Sequence, residues 1–125
     1  MPLLKVMTSE KLSEEKTKNF LKDATEVLVS LGKKESHAMV VLEKVDASMG
    51  GEPGPTVFAE FRSMVFQTHE QNNEMSNKLC ELFRNELNVP IERTFINIIQ
   101  VPESCWGWQG GIVVWDNSLK KWVVR

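Results

Sequence analysis

Apolar residues recur at two different periods along this chain, and the switches between them divide it into alternating strands and helices. Residues 2 to 7, PLLKVM, form a short apolar run that predicts a strand, with Pro2 at its head where no ladder hydrogen bond is lost. From Leu12 to Leu31 the apolar positions Phe20, Ala24, Val27, Leu28 and Leu31 make one helical stripe. Thr8 and Ser9 are suited to cap that helix, and Gly32 to end it in a left-handed conformation. Ala38 to Val45, AMVVLEKV, reads as a strand covered on both faces. Asp46 to Pro55, DASMGGEPGP, is dense in Gly and Pro and reads as a loop. Thr56 to Phe66 predicts a further strand. His69 to Leu87 predicts a second helix, with Met75, Leu79, Leu82, Phe83 and Leu87 on one face, and Thr94 to Val101 a fourth strand. The tail from Gly111 to Arg125 predicts a closing hairpin.

This order, strand, helix, strand, loop, strand, helix, strand, is two βαβ units in tandem, an α/β arrangement. The halves correspond in element order: LGKKESHAMVVL from Leu31 and LNVPIERTFINI from Leu87 each run from a helix end through a polar turn into a strand. Right-handed crossovers would place both helices on one face of a four-stranded sheet. The opposite face then needs a cover, and with both helices used, another copy of the chain is the simplest one.

Composition narrows the function classes. The 125 residues, 42% hydrophobic and 26% charged, match one globular domain spanning 1–125, with the hairpin at about 111–125 as an extension. Fifteen Lys and Arg against 17 Asp and Glu give a net charge of -2, which disfavours a nucleic-acid partner. No apolar run is long enough for a membrane span or a signal peptide, so the expected location is cytoplasmic.

Nucleotide-binding glycine motifs and an H-E-x-x-H metal motif are absent, and no metal or organic cofactor is expected. His37 and His69 stand alone and read as solvated side chains. Cys80 and Cys105 match no disulfide framework or C-x-x-C pair and read as buried structural thiols. The acidic and basic run EKLSEEKTK reads as a solvated helix face. Trp106, Trp108, Trp115 and Trp122 cluster late in the chain and read as interface residues rather than pocket lining. Pro directly after Met1 is the one chemically suggestive feature. Loss of Met1 would free a secondary amine, and burial or a neighbouring cation would lower its pKa towards neutrality.

From Asn88 to Gly110, NVPIERTFINIIQVPESCWGWQG, the chain resembles the macrophage migration inhibitory factor family, which includes D-dopachrome tautomerase and belongs to the tautomerase superfamily. Pro90 and Arg93 form its Pro-x-x-Arg turn, Phe95-Ile96-Asn97 its aromatic-Ile-Asn strand, and Gly107-Trp108 its Gly-Trp pair. MPLLKV at the start, and Leu31-Gly32-Lys33 followed by a Met-Val strand, extend the resemblance.

The resemblance implies a homotrimer with pockets between subunits, and keto–enol tautomerisation of a phenylpyruvate-like or dopachrome-like acid. Pro2 would be the base and Lys33 the partner of the substrate carboxylate. Asn97, from a neighbouring subunit, Met64 and Phe95 would line the pocket. A cytokine-like binding protein with a protein receptor, exported without a signal peptide, and a catalytically degenerate homologue are the alternatives. Phe95 stands where many members carry Tyr, and Ser63-Met64-Val65 where many read Ser-Ile-Gly. The redox cysteine pair of some members is absent at Val57 to Glu60, so no thiol oxidoreductase function is expected. The tail continues past Trp108 further than is usual in the family, and would lengthen an inter-subunit sheet or lie over the pocket.

Overall fold

In the computed structural model, which describes residues 1–125, two strand–helix–strand crossovers build one mixed sheet. Strand β1 (Leu3–Thr8) leads into helix α1 (Glu14–Ser30) and returns as β2 (Met39–Lys44), parallel to β1. After a two-residue ladder of β3 (Ser48–Met49) and β4 (Glu52–Pro53), strand β5 (Val57–Ser63) runs antiparallel to β1. Helix α2 (His69–Leu87) then crosses to β6 (Thr94–Gln100), parallel to β5. The order β2-β1-β5-β6 is the two-unit α/β sheet that the pattern predicts.

Strict alternation puts Leu4 and Val6 of β1, and Val57, Ala59 and Phe61 of β5, on the helix side. There they meet Phe20, Ala24 and Leu28 of α1 and Met75, Leu79 and Phe83 of α2, all buried. The other face carries Leu3, Lys5, Met7, Met39, Val41, Phe58, Phe95, Asn97 and Ile99, and nothing in the chain covers it. The expectation that residues 38–45 are covered on both faces is therefore corrected for the single chain: β2 is an edge strand, and Met39 is 62% exposed.

Ser13, not Thr8 or Ser9, caps α1, its hydroxyl accepting from the Lys16 amide at 3.2 Å. Thr8 and Ser9 are spent elsewhere. The Thr8 hydroxyl donates to the Thr56 carbonyl at 3.0 Å, and that of Ser9 to the Gly54 carbonyl at 3.1 Å. These long-range bonds close the 46–55 segment against β1. Arg93 clamps the same segment, donating from Nε to the Pro55 carbonyl at 2.7 Å and from a terminal nitrogen to that of Glu52 at 3.0 Å. The Pro-x-x-Arg motif thus has a structural role.

Beyond β6 the chain forms a second, separate sheet, β7 (Gly107–Trp108), β8 (Gly111–Asp116) and β9 (Lys121–Val124), antiparallel in that order. The expected hairpin is present: Trp115 pairs with Trp122 across it and Asp116 with Lys121. No helix is long and apolar enough to cross a membrane.

Candidate active site

Helix α1 ends in a Schellman arrangement. Gly32, at φ +89°, donates its amide to the Val29 carbonyl at 3.0 Å, and Lys33 donates its own to that of Leu28 at 3.0 Å. A left-handed residue costs glycine little, and this reversal turns Lys33 back over the sheet. Its ammonium lies 5.4 Å from the centre of the Phe61 ring, a cation–π distance. Lys33 has no carboxylate partner, and burial lowers its pKa.

Pro2 is buried at the head of β1, its carbonyl accepting from the Met39 amide at 3.0 Å. The terminal amine of Met1 is held below its ordinary value of 8.0, first by burial and then by the charge of Lys33. Pro2 and Lys33 open onto one cleft of about 710 Å³ together with Met64. Three of the site residues expected from the sequence are therefore brought together in one chain.

Phe95 and Asn97 are not. Both sit on β6, two strands from β1 on the face away from the helices; Phe95 is 64% exposed and Asn97 is also exposed. A single chain does not bring them to Pro2. Val65 adopts an ordinary negative φ, so the segment does not depend on a glycine there.

Further lining comes from residues that the sequence did not place in the site. Trp108, Trp115 and Trp122, expected at an interface, line the cleft of the single chain, with Trp115 and Trp122 exposed. Only Trp106 stands apart, donating from its indole nitrogen to the Val101 carbonyl at 3.0 Å. His37 is half-buried against Trp108, ring centres 4.8 Å apart and edge-on, rather than solvated. The imidazole is lowered below its ordinary value by burial, then by the charges of Lys34 and the terminal amine. Lys34, Lys120 and Lys121 complete a lining that contains four lysines and no Asp or Glu. The Lys-Lys pair and the tryptophan cluster were signals in the sequence, but only the fold shows that they converge. The cysteine reading is also corrected: Cys105 is exposed, and Cys80 is half-buried with its thiol pushed up by burial. No three His, Cys, Asp or Glu side chains converge to hold a metal ion.

An apolar and aromatic cleft with cationic groups and a terminal amine is chemically suited to an aromatic acid. The sequence profile of the macrophage migration inhibitory factor family matches residues 1–114. The chain belongs to that family. A macrophage migration inhibitory factor homolog from Brugia malayi is 29% identical over 93 residues, 73% of this chain and 81% of that one. The crystal structure of the homologue from Prochlorococcus marinus superposes with a TM-score of 0.81 at 26% identity, covering 86% of this chain and 96% of that chain. The family protein of Oncomelania hupensis gives a TM-score of 0.78 at 26% identity, over 90% and 81% of the two chains. These identities make this chain a divergent family member, and residues 115–125 lie outside the profile match.

Proposed function

We propose that the protein is a keto–enol tautomerase of aromatic 2-oxo acids, such as phenylpyruvate or a dopachrome-like acid, with the nitrogen of Pro2 as its base once Met1 is removed. The observation that carries the reading is the placement of a buried Pro2 and an ionically unpartnered Lys33 in one cleft. Lys33 would hold the substrate carboxylate, so that the carbon next to the ketone meets the Pro2 nitrogen. The nitrogen takes a proton from that carbon, the C–H electron pair becomes the carbon–carbon double bond, the carbonyl π pair moves onto its oxygen, and that oxygen takes a proton from water to give the enol, the Pro2 ammonium returning its proton to water. Burial and the Lys33 charge, which hold the Met1 amine below its ordinary value, would act in the same direction on a Pro2 amine freed beside them and favour its neutral, proton-accepting form. Holding substrate and base together contributes further by orientation.

The reading includes assembly as a homotrimer, about 43 kDa from three chains of 14.3 kDa. Its support is the uncovered sheet face and the edge strands β2 and β6, where a neighbouring copy could bring its Asn97 and Phe95 to the cleft. The test is a phenylpyruvate enolisation assay on protein whose loss of Met1 is verified by mass spectrometry. Pro2→Gly should retain the fold and the trimer and lose turnover. Retained turnover, or an N-terminus still carrying Met1 in active protein, contradicts the proposal.

A further inference from the structure

Residues 115–125, which the family profile does not match, supply Trp115, Trp122, Lys120 and Lys121 to the same cleft as Pro2. The hairpin that carries them is braced from within. Trp115 and Trp122 pack edge-on, with ring centres 5.1 Å apart. The Asp116 carboxylate accepts from the Leu119 amide at 2.8 Å and pairs with the Arg125 guanidinium. Asp116 lies opposite Lys121 in the register but forms its ion pair with Arg125. Neither Lys120 nor Lys121 has an ion-pair partner, and neither do Lys33 and Lys34.

Four lysines without ionic partners thus line one cleft in a chain of net charge -2, Lys33 half-buried and Lys34, Lys120 and Lys121 exposed. One carboxylate held by Lys33 would leave the hairpin pair uncompensated. An aromatic body against the indoles, with an acidic group at each end, would engage both.

We infer that Lys120 and Lys121 form a second anion subsite, and that the hairpin selects aromatic acids bearing two acidic groups over those bearing one. The inference rests on the proposed reading of the cleft as a site for aromatic acids, but its test requires no turnover.

Calorimetric titration of the full chain with cinnamate, which has one carboxylate, and 4-carboxycinnamate, which has two, reads the subsite directly. The dicarboxylate should bind about tenfold more tightly, as two partly exposed ion pairs warrant, and the advantage should shrink as salt is raised. In a Lys120→Asn/Lys121→Gln variant the advantage should fall to within about twofold, because dicarboxylate binding weakens much more than cinnamate binding. Asn suits the backbone at position 120, where φ is +52°. Trp122→Ala should weaken both acids alike. Equal affinity of the full chain for the two acids, an undiminished preference in the double variant, or no binding of either acid overturns the inference. Failure of the tautomerase proposal is distinguishable, because it shows in the Pro2→Gly assay and leaves this binding difference intact.

Discussion

The imidazole of His37 meets the indole of Trp108 edge-on at 4.8 Å, and the contact joins the turn after α1 to the C-terminal sheet. Because burial, Lys34 and the terminal amine disfavour the imidazolium, the folded protein binds fewer protons here than the unfolded chain. The contribution is present above the ordinary histidine value of 6.5 and is lost as pH falls through it and below. His37→Ala should cost about 0.5–1 kcal/mol at pH 8 and reduce the pH dependence of stability near 6.5, read by urea unfolding under tryptophan fluorescence.

Glu86 should give the opposite slope. Its carboxyl is pushed up to about 7, first by burial, then by the hydrogen bond its protonated form donates to the Asp23 carboxylate and by the charges of Asp23 and Glu26. The folded pKa exceeds the unfolded value of 4.5, so this contribution is complete below 4.5 and is lost as pH rises towards 7. Glu86→Gln should flatten the stability profile between those values and raise stability at pH 8. An unchanged slope in thermal melts contradicts this.

Gly111 tests the hairpin without touching the cleft lysines. A Cβ there would stand 2.5 Å from Val124 Cγ1 and 3.1 Å from the Arg125 carbonyl oxygen. The β-branched Val124 has little freedom to move aside. Gly111→Ala should therefore displace the end of β9 at a cost of about 1–3 kcal/mol, with faster amide exchange at Val123 and Val124.

Arg93→Met should release the 46–55 segment. Without the guanidinium, the Pro55 and Glu52 carbonyls lose their donors, a cost of about 1–3 kcal/mol if they remain shielded from water. Amide exchange in that segment should rise while that of α2 is unchanged.

The sheet and both helices were legible because each half of the chain repeats one device, a strand, an amphipathic helix and a second strand. Gly32 was legible as a helix end, since only its conformational freedom suits the reversal at that point. The α1 cap was not: Thr8, Ser9 and Ser13 are chemically similar, and the choice among them is set by the Gly54 and Thr56 carbonyls, 45 and 48 residues away. Pro2, Lys33 and Met64 could be placed in one site by family resemblance, whereas the convergence of Trp115, Trp122, Lys120 and Lys121 could not. That convergence depends on where the second sheet lies against the first, a tertiary relation with no periodic trace. The isolated chain leaves Phe95 and Asn97 outside the cleft, so their proposed role depends on the trimer.

The most direct measurement is the pH dependence of kcat/KM for phenylpyruvate, on protein freed of Met1 and on its Lys33→Met variant. Activity should rise with an apparent pKa below the ordinary terminal-amine value of 8.0, and that pKa should move upward when the Lys33 charge is removed. A profile with no ionisation below 8.0 that is also retained in Pro2→Gly would contradict the assignment of the N-terminal nitrogen as the base.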